Sequence, residues 1–162
     1  MRTHPTQSDP HSPAMPLFGH AVLLYDGLCP LCHGCVRFLL RRDHRALLRF
    51  ASLQGPLAQR TLARHGIDTH APNPAEMIQS VVLIQSLDTP SESLHLRSDA
   101  ILQSLRLLGG GWARCARLLQ WIPRPLRDGL YRCVAHARRS LFGIYTVCPA
   151  PPPSYADRFL HE

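Results

Sequence analysis

The sequence contains no lysine, so arginine provides all of the positive charge behind its formal net charge of +7. The arginines are spread along the chain, and they form no run of basic residues interleaved with aromatic residues of the kind found in nucleic-acid-binding modules. Such a distribution is typical of a solvated surface. The composition therefore predicts no nucleic-acid partner.

Long apolar runs are also missing. Residues 1–19 are rich in Pro, Ser, Thr and His, and they contain no apolar stretch long enough for a signal peptide or a membrane span. We therefore expect a disordered N-terminal tail and a cytoplasmic protein. In the cytoplasm structural disulfides are uncommon, and a Cys-x-x-Cys motif is more often catalytic or metal-binding.

The 162 residues, 45% of them hydrophobic, suffice for one domain with a core that needs no disulfide. We expect this domain over residues 20–148. Residues 149–162 form a proline-rich tail, for which the prediction is an extended conformation.

A Cys-x-x-Cys motif lies where an apolar run ends and an amphipathic run begins. Ala21 to Leu24 has the pattern of a short buried strand, and the residues from Cys32 to Arg42 have helical spacing of their apolar positions. Pro30 suits the first position of that helix, because its missing N–H would have no partner there. Cys29 is then the N-cap residue.

This placement has chemical consequences for the two thiols. The first-turn N–H groups and the helix dipole favour a negative group at the N-cap, so Cys29 should ionise more easily than Cys32. Cysteines in such environments have pKa values between about 3.5 and 7.5, and the thiolate is the species that attacks disulfides. We expect Cys29 to lie nearer the solvent and to attack, and Cys32 to resolve. Residues at i and i+3 are close enough for a reversible disulfide.

The rest of the chain predicts the order β-α-β-α-β-β-α. Strands are expected at 47–53, 80–84 and 94–96, and helices at 57–65 and 99–108, with Ser98 as the cap of the second. Strand–helix–strand units give parallel pairing, and the short turn between the last two strands gives a hairpin. The fold class is therefore α/β, with a thioredoxin-like four-stranded mixed sheet flanked by helices.

The residues from Tyr25 to Cys32 resemble the Tyr-Asp-Gly-x-Cys-Pro-x-Cys signature of the bacterial thiol-disulfide oxidoreductase DCC family. The similarity continues through segments 36–43, 50–54, 97–100 and 122–128, and so covers most of residues 21–148. The resemblance implies a thioredoxin-like fold and thiol-disulfide exchange with a disulfide-bearing protein or a small thiol. We expect no cofactor.

A metal site is the competing interpretation of the cysteines. Cys29, Cys32 and Cys35, with Cys148 before a proline, resemble a ferredoxin pattern, but the helix predicted straight after Cys35 does not fit its irregular loop. A zinc site that uses Cys29, Cys32 and either His33 or Cys148 remains open. The chain would then be a non-catalytic, zinc-stabilised binding domain.

Other residues around the motif have two interpretations each. Asp26 is a candidate proton acceptor for Cys32, although Asp-Gly is also a good turn. Tyr25 either lies beside the thiols or belongs to the core. Gly27 and Pro30 support the motif through the turn and the helix start. Cys35 is expected to be a small buried hydrophobic residue in preference to a third redox thiol.

The segment from Trp112 to Ile144 predicts two further helices, broken near Pro123 and Pro125. Apolar residues alternate there with seven arginines. A basic amphipathic segment of this kind can lie on an anionic membrane surface. Helices that pack onto a small sheet have the same pattern, and we favour that interpretation.

Overall fold

The computed structural model describes residues 20–67 and 81–160. Its centre is a four-stranded sheet. The strands are β1 (Ala21–Tyr25), β2 (Leu48–Ser52), β3 (Val82–Gln85) and β4 (Ser93–Leu96). Their order in the sheet is β2-β1-β3-β4, in which β1 runs parallel to β2 and antiparallel to β3, and β3 forms an antiparallel pair with β4.

Helices cover both faces of the sheet and continue beyond it. In chain order they are α1 (Pro30–Arg42), α2 (Pro56–Arg64), α3 (Arg97–Leu108), α4 (Gly110–Gln120), α5 (Arg124–Phe142) and a final 3₁₀ helix (Pro153–Arg158). Among the described residues the predicted β-α-β-α-β-β-α order and the thioredoxin-like arrangement are confirmed. The parallel direction expected of strand–helix–strand units is confirmed for β1 and β2 and wrong for β3, which runs antiparallel to β1. The two additional C-terminal helices are present, and Pro123 is the N-cap of the second.

The core has two layers because β1, at the centre of the sheet, is buried on both faces. On one face Leu23 and Phe50 pack with residues of α1 and α3, and both motif cysteines belong to this layer. On the other face Val22 and Leu24 pack with α2. The alternation of side chains along β1 therefore brings Tyr25 to the layer that contains the thiols.

Three local expectations were wrong. Leu96, not Ser98, is the N-cap residue of α3, which begins at Arg97. The Ser98 hydroxyl donates a hydrogen bond to Asp128 of α5 instead of capping the helix. The tail is not extended throughout, since residues 153–158 form the 3₁₀ helix. Arg158 at its end is buried, where it pairs with Asp43 and donates to the Leu48 carbonyl oxygen.

The third correction concerns α4 and α5. Only Ala116 of α4 and Arg138 of α5 are buried, and α5 contacts α3 and α1. Most of their apolar side chains therefore do not pack onto the sheet. In the described part of the chain, no helix has the length and apolarity that would be needed to cross a bilayer. The prediction of a disordered tail at residues 1–19 lies outside the described residues.

Candidate active site

Cys29 is the N-cap residue of α1, as predicted. Its backbone is extended (φ −99°, ψ 117°), and Pro30 occupies the first turn. The Cys29 Sγ accepts a hydrogen bond from the backbone N–H of Cys32 at 3.5 Å. The helix start thus provides a donor for a negative sulfur.

The surroundings lower the pKa of Cys29 to about 6. The largest cause is a hydrogen bond from the Cys32 thiol, and burial opposes it. The backbone N–H groups of Cys32 and Leu31 and the positive charge of Arg138 lower the pKa further. At neutral pH the Cys29 thiol is therefore mostly a thiolate, which is the attacking form in disulfide exchange.

Cys32 has the opposite character. Its hydrogen bond to the Cys29 sulfur, its burial and the negative charge of Cys29 raise its pKa well above the ordinary range, and Arg138 partly offsets them. The two sulfurs thus share one proton, held on Cys32. Both thiols are buried, with Cys29 4% and Cys32 5% exposed, so exposure does not distinguish them, and a position of Cys29 nearer the solvent stays a prediction.

The Asp26 carboxylate is buried near the thiols and belongs to a hydrogen-bond network. Its Oδ1 accepts from the Leu28 N–H at 3.1 Å and from Gln54 Nε2 at 3.0 Å. Gln54 Oε1 in turn accepts from the Gly27 N–H at 3.2 Å. The same hydrogen bonds therefore hold both the Asp-Gly turn and the Asp26 carboxylate in place. The geometry agrees with a turn residue and with a proton acceptor for Cys32.

Arg138 of α5 joins this network to the thiols. Its Nη1 donates to Cys32 Sγ at 3.3 Å, and its Nη2 donates to Asp26 Oδ2 at 3.2 Å. The residue is only 5% exposed, and its Nε has no hydrogen-bond acceptor among the described residues. A buried guanidinium thus lies between a carboxylate and the two thiols, where the low local dielectric strengthens its effect on the Cys32 sulfur.

Position 27 requires glycine because a side chain there has no room. Its φ is not in the left-handed region, but a Cβ at this position would lie 2.9 Å from Cys148 Sγ and 3.0 Å from Ser52 Oγ. Cys148 belongs to the segment that follows α5, so this segment passes directly over the turn. The sequence predicted a turn glycine and did not predict the close approach.

Aromatic rings surround the start of α1. Tyr25 is buried, and its ring lies 5.3 Å from the imidazole of His33 in an edge-on arrangement. Burial raises the pKa of Tyr25, with smaller contributions from Cys148 and Cys32. Tyr145 covers the other side, with its ring 5.6 Å from His33 and its N–H donating to the Leu28 carbonyl oxygen at 2.9 Å. Tyr25 is thus both a core residue and a neighbour of the thiols.

An apolar groove of about 390 Å³ opens beside Cys32, between α1, α3, α4 and α5. Leu31, Ile101, Val134 and Arg138 are among its lining residues. Cys35 also lines the groove and is exposed. The expectation of a buried Cys35 was therefore wrong.

The metal interpretation receives no support from these positions. Within residues 20–67 and 81–160, no three side chains of His, Cys, Asp or Glu are grouped so that they could hold a metal ion. The Nε2 atom of His33 donates to the Gly27 carbonyl oxygen at 2.9 Å.

Sequence reasoning missed two residues of the site. Gln54 lies in a segment that resembles the family, but its side chain carried no signal of a role. Arg138 is one of seven arginines in the C-terminal helices, and only the tertiary structure distinguishes it from the others.

Comparison with known proteins agrees with this geometry. Residues 23–144 match the family model described as DCC1-like thiol-disulfide oxidoreductase. The chain is 35% identical to a Bacillus subtilis (strain 168) protein named "Uncharacterized protein YuxK", over 86% of this chain and 93% of that protein. It is 32% identical to the Arabidopsis thaliana "DCC family protein At1g52590, chloroplastic", over 78% of this chain and 67% of that protein.

No solved structure matches the chain significantly. The family match begins within β1 and covers both cysteines and α5, so it includes Asp26, Gln54 and Arg138. The chain belongs to the DCC1-like thiol-disulfide oxidoreductase family.

Proposed function

We propose that the protein is a thiol-disulfide oxidoreductase in which Cys29 is the nucleophile and Cys32 the resolving thiol. The observation that carries the proposal is the position of Cys29 at the N-cap, where the Cys32 thiol and N–H lower its pKa to about 6. The substrate is a disulfide-bearing protein or a small disulfide. The use of cysteine as free thiols suits the reducing cytoplasm, which is the compartment we propose.

In the first step the Cys29 thiolate attacks one sulfur of the substrate disulfide. A bond forms between Cys29 Sγ and that sulfur, the substrate S–S bond breaks, and the other substrate sulfur leaves as a thiolate. The product is a mixed disulfide, and no charge remains on Cys29.

The second step depends on the loss of that charge. The hydrogen bond to the Cys29 thiolate and the negative charge of Cys29 both raise the pKa of Cys32, and both disappear in the mixed disulfide. Arg138 then favours the Cys32 thiolate, which attacks Cys29 Sγ and releases the second substrate thiolate. The protein ends with a Cys29–Cys32 disulfide, having given two electrons to the substrate.

Cys32 must lose its proton during this second step. We propose that Asp26 accepts it, because Arg138 bonds both the Cys32 sulfur and the Asp26 carboxylate. The guanidinium has only donors and does not relay the proton itself, but it keeps the thiol and the carboxylate beside the same group. A carboxylate in this position acts as a general base for the resolving thiol.

Variants that trap the mixed disulfide test the division of roles. Cys32→Ser keeps the nucleophile and lacks the resolving thiol, so it should accumulate covalent complexes with disulfide substrates that dithiothreitol releases. Cys29→Ser should form almost none. Mass-spectrometric mapping of the trapped species identifies the linked cysteine.

Cys35→Ala is the matched control, because Cys35 lies one helical turn after Cys32. It should retain turnover. Trapping through Cys32, or a loss of activity in Cys35→Ala equal to that in Cys29→Ser, would contradict the assignment. Stoichiometric zinc in the purified protein, lost together with the fold, would instead support the zinc-stabilised binding domain.

A further inference from the structure

The outer surface of α4 and α5 is unusually apolar for a water-exposed surface. Trp121 is 88% exposed, and Leu118 and Leu130 are 72% and 70% exposed. We refer to this surface as the outer face; its apolar residues are Leu118, Trp121, Ile122, Leu126, Leu130 and Leu141. Large apolar patches are rare on the surface of soluble monomeric proteins, and where they occur they usually mark an interaction site.

The same two helices carry a strong positive charge. Residues 110–142 contain seven arginines and a single acidic residue, Asp128. Three of these arginines are already paired, since Arg138 is buried against Asp26, and Arg124 and Arg127 pair with Asp99. Arg114 precedes Leu118 by four residues, and Arg117 precedes Trp121 by four, so each arginine is the helix-surface neighbour of an exposed apolar side chain. Arg114 and Arg117 are both exposed. The outer face therefore offers apolar and cationic groups together.

The combination of positive charge and apolar side chains favours an anionic lipid surface over a second copy of the chain as the partner of the outer face. A second copy of the chain would bring one arginine-rich surface against another, and each copy has a formal net charge of +7. An anionic lipid surface instead satisfies both properties, because arginine attracts the headgroups while leucine and tryptophan enter the acyl boundary. Tryptophan is enriched at this depth of a membrane.

We propose that the outer face of α4 and α5 binds the surface of an anionic lipid bilayer, with both helices lying in the interface plane. The apolar groove beside Cys32 is continuous with this face, since Ile122 and Leu130 belong to both. Contact with the bilayer thus places the mouth of the groove at the membrane. Lipid binding does not depend on the redox chemistry, so either proposal can fail alone.

Co-sedimentation of the full-length protein with vesicles tests the proposal. Vesicles of phosphatidylglycerol and phosphatidylcholine should bind the protein, and vesicles of phosphatidylcholine alone should bind it much more weakly. Added salt should weaken the binding, because it screens the arginines. Arg114→Gln with Arg117→Gln should reduce partitioning about 30-fold, from the usual contribution of each basic residue near an anionic surface.

The matched control is Arg41→Gln with Arg45→Gln, which removes the same charge from exposed positions at the end of α1 and just after it. This variant should bind within a factor of about three of the parent protein, since its charges lie away from the outer face. Circular dichroism checks that both double variants fold. Equal losses in the two double variants would contradict the proposal.

Tryptophan fluorescence gives a second measurement. The chain has two tryptophans, and Trp112→Phe leaves Trp121 as the reporter, whose emission should shift to the blue on addition of anionic vesicles. Trp121→Phe leaves Trp112, which packs edge-on against Phe38 and should report no comparable shift. No vesicle-dependent shift of Trp121, equal binding to neutral vesicles, or a dimer that buries Trp121 without lipid would overturn the proposal.

Discussion

Replacing Arg138 should raise the pKa of Cys29 and reduce its reactivity at mildly acidic pH. In the native site the positive charge of Arg138 helps to lower the pKa of Cys29 to about 6. Because the nearby Asp26 carboxylate cancels part of that charge, we expect Arg138→Met to raise the pKa by about one unit. The thiolate population at pH 6 should then fall about fivefold, whereas at pH 8 it should scarcely change.

The assay is the rate of iodoacetamide alkylation of Cys29 as a function of pH, with mass-spectrometric assignment of the modified thiol. Arg132→Gln is the control, because Arg132 is an exposed arginine on the same helix. Arg138→Lys keeps the positive charge but cannot contact Cys32 and Asp26 through two separate nitrogens, so the pKa of Cys29 should remain close to its native value. An unchanged pH profile in Arg138→Met, or the same shift in Arg132→Gln, would refute the reasoning.

The stability of Arg138→Met needs separate attention. The replacement leaves the buried Asp26 without its charged partner, which typically costs about 3–5 kcal/mol. The double variant Arg138→Met with Asp26→Asn removes both charges and should recover much of that loss. Urea unfolding of the single and double variants measures the difference. The pH profile of the double variant then separates the effect on Cys29 from partial unfolding.

Three further predictions follow from the same geometry. Gly27→Ala should destabilise the fold by about 1–3 kcal/mol in urea unfolding, with partial rescue by Cys148→Ala, because the added methyl group collides with that sulfur. Tyr145→Ala removes the ring that covers His33, so it should raise the alkylation rate of Cys29 at constant pH. The stability of the reduced protein relative to Cys29→Ser should increase between pH 6 and pH 9, because the folded protein lowers the pKa of Cys29 from 9.0 to about 6. Its thiolate therefore contributes fully above pH 9, and the contribution is lost as the pH falls towards 6; a flat difference would contradict the low pKa.

The sequence predicted the elements around Cys29 because their signals are local. An apolar run, a turn with Asp26 and Gly27, and Pro30 at a helix start are all read from neighbouring residues. The connections then predict the parallel pair of β1 with β2 and the hairpin of β3 with β4, whereas the antiparallel direction of β3 beside β1 does not follow from the element order. Apart from that direction, the sequence predicts both the central fold and the position of the two thiols.

The remaining features depend on contacts between distant residues. Arg138 contacts Cys32 across 106 positions of the sequence, and Arg158 reaches Asp43 across 115. Nothing near either arginine distinguishes it from the exposed ones. The cover over the turn before α1 has the same origin, because the N–H of Tyr145, in the segment after α5, donates to the Leu28 carbonyl oxygen. A pattern of apolar residues cannot reveal a buried charge whose partner lies elsewhere in the chain.

The contacts that attach α5 to the rest of the protein are mostly polar. Tyr131 accepts from the Val81 N–H at 2.9 Å, Arg127 pairs with Asp99 at 3.1 Å, and Arg138 pairs with Asp26 at 3.2 Å. Such contacts define orientation more than they add stability, because desolvation offsets much of their energy. The position of Arg138 beside the thiols therefore rests on directional bonds and on little apolar burial. The same lack of burial leaves the apolar side chains of α5 exposed on the outer face, so one structural property of this helix underlies both the electrostatics of the thiols and the proposed attachment to a membrane surface.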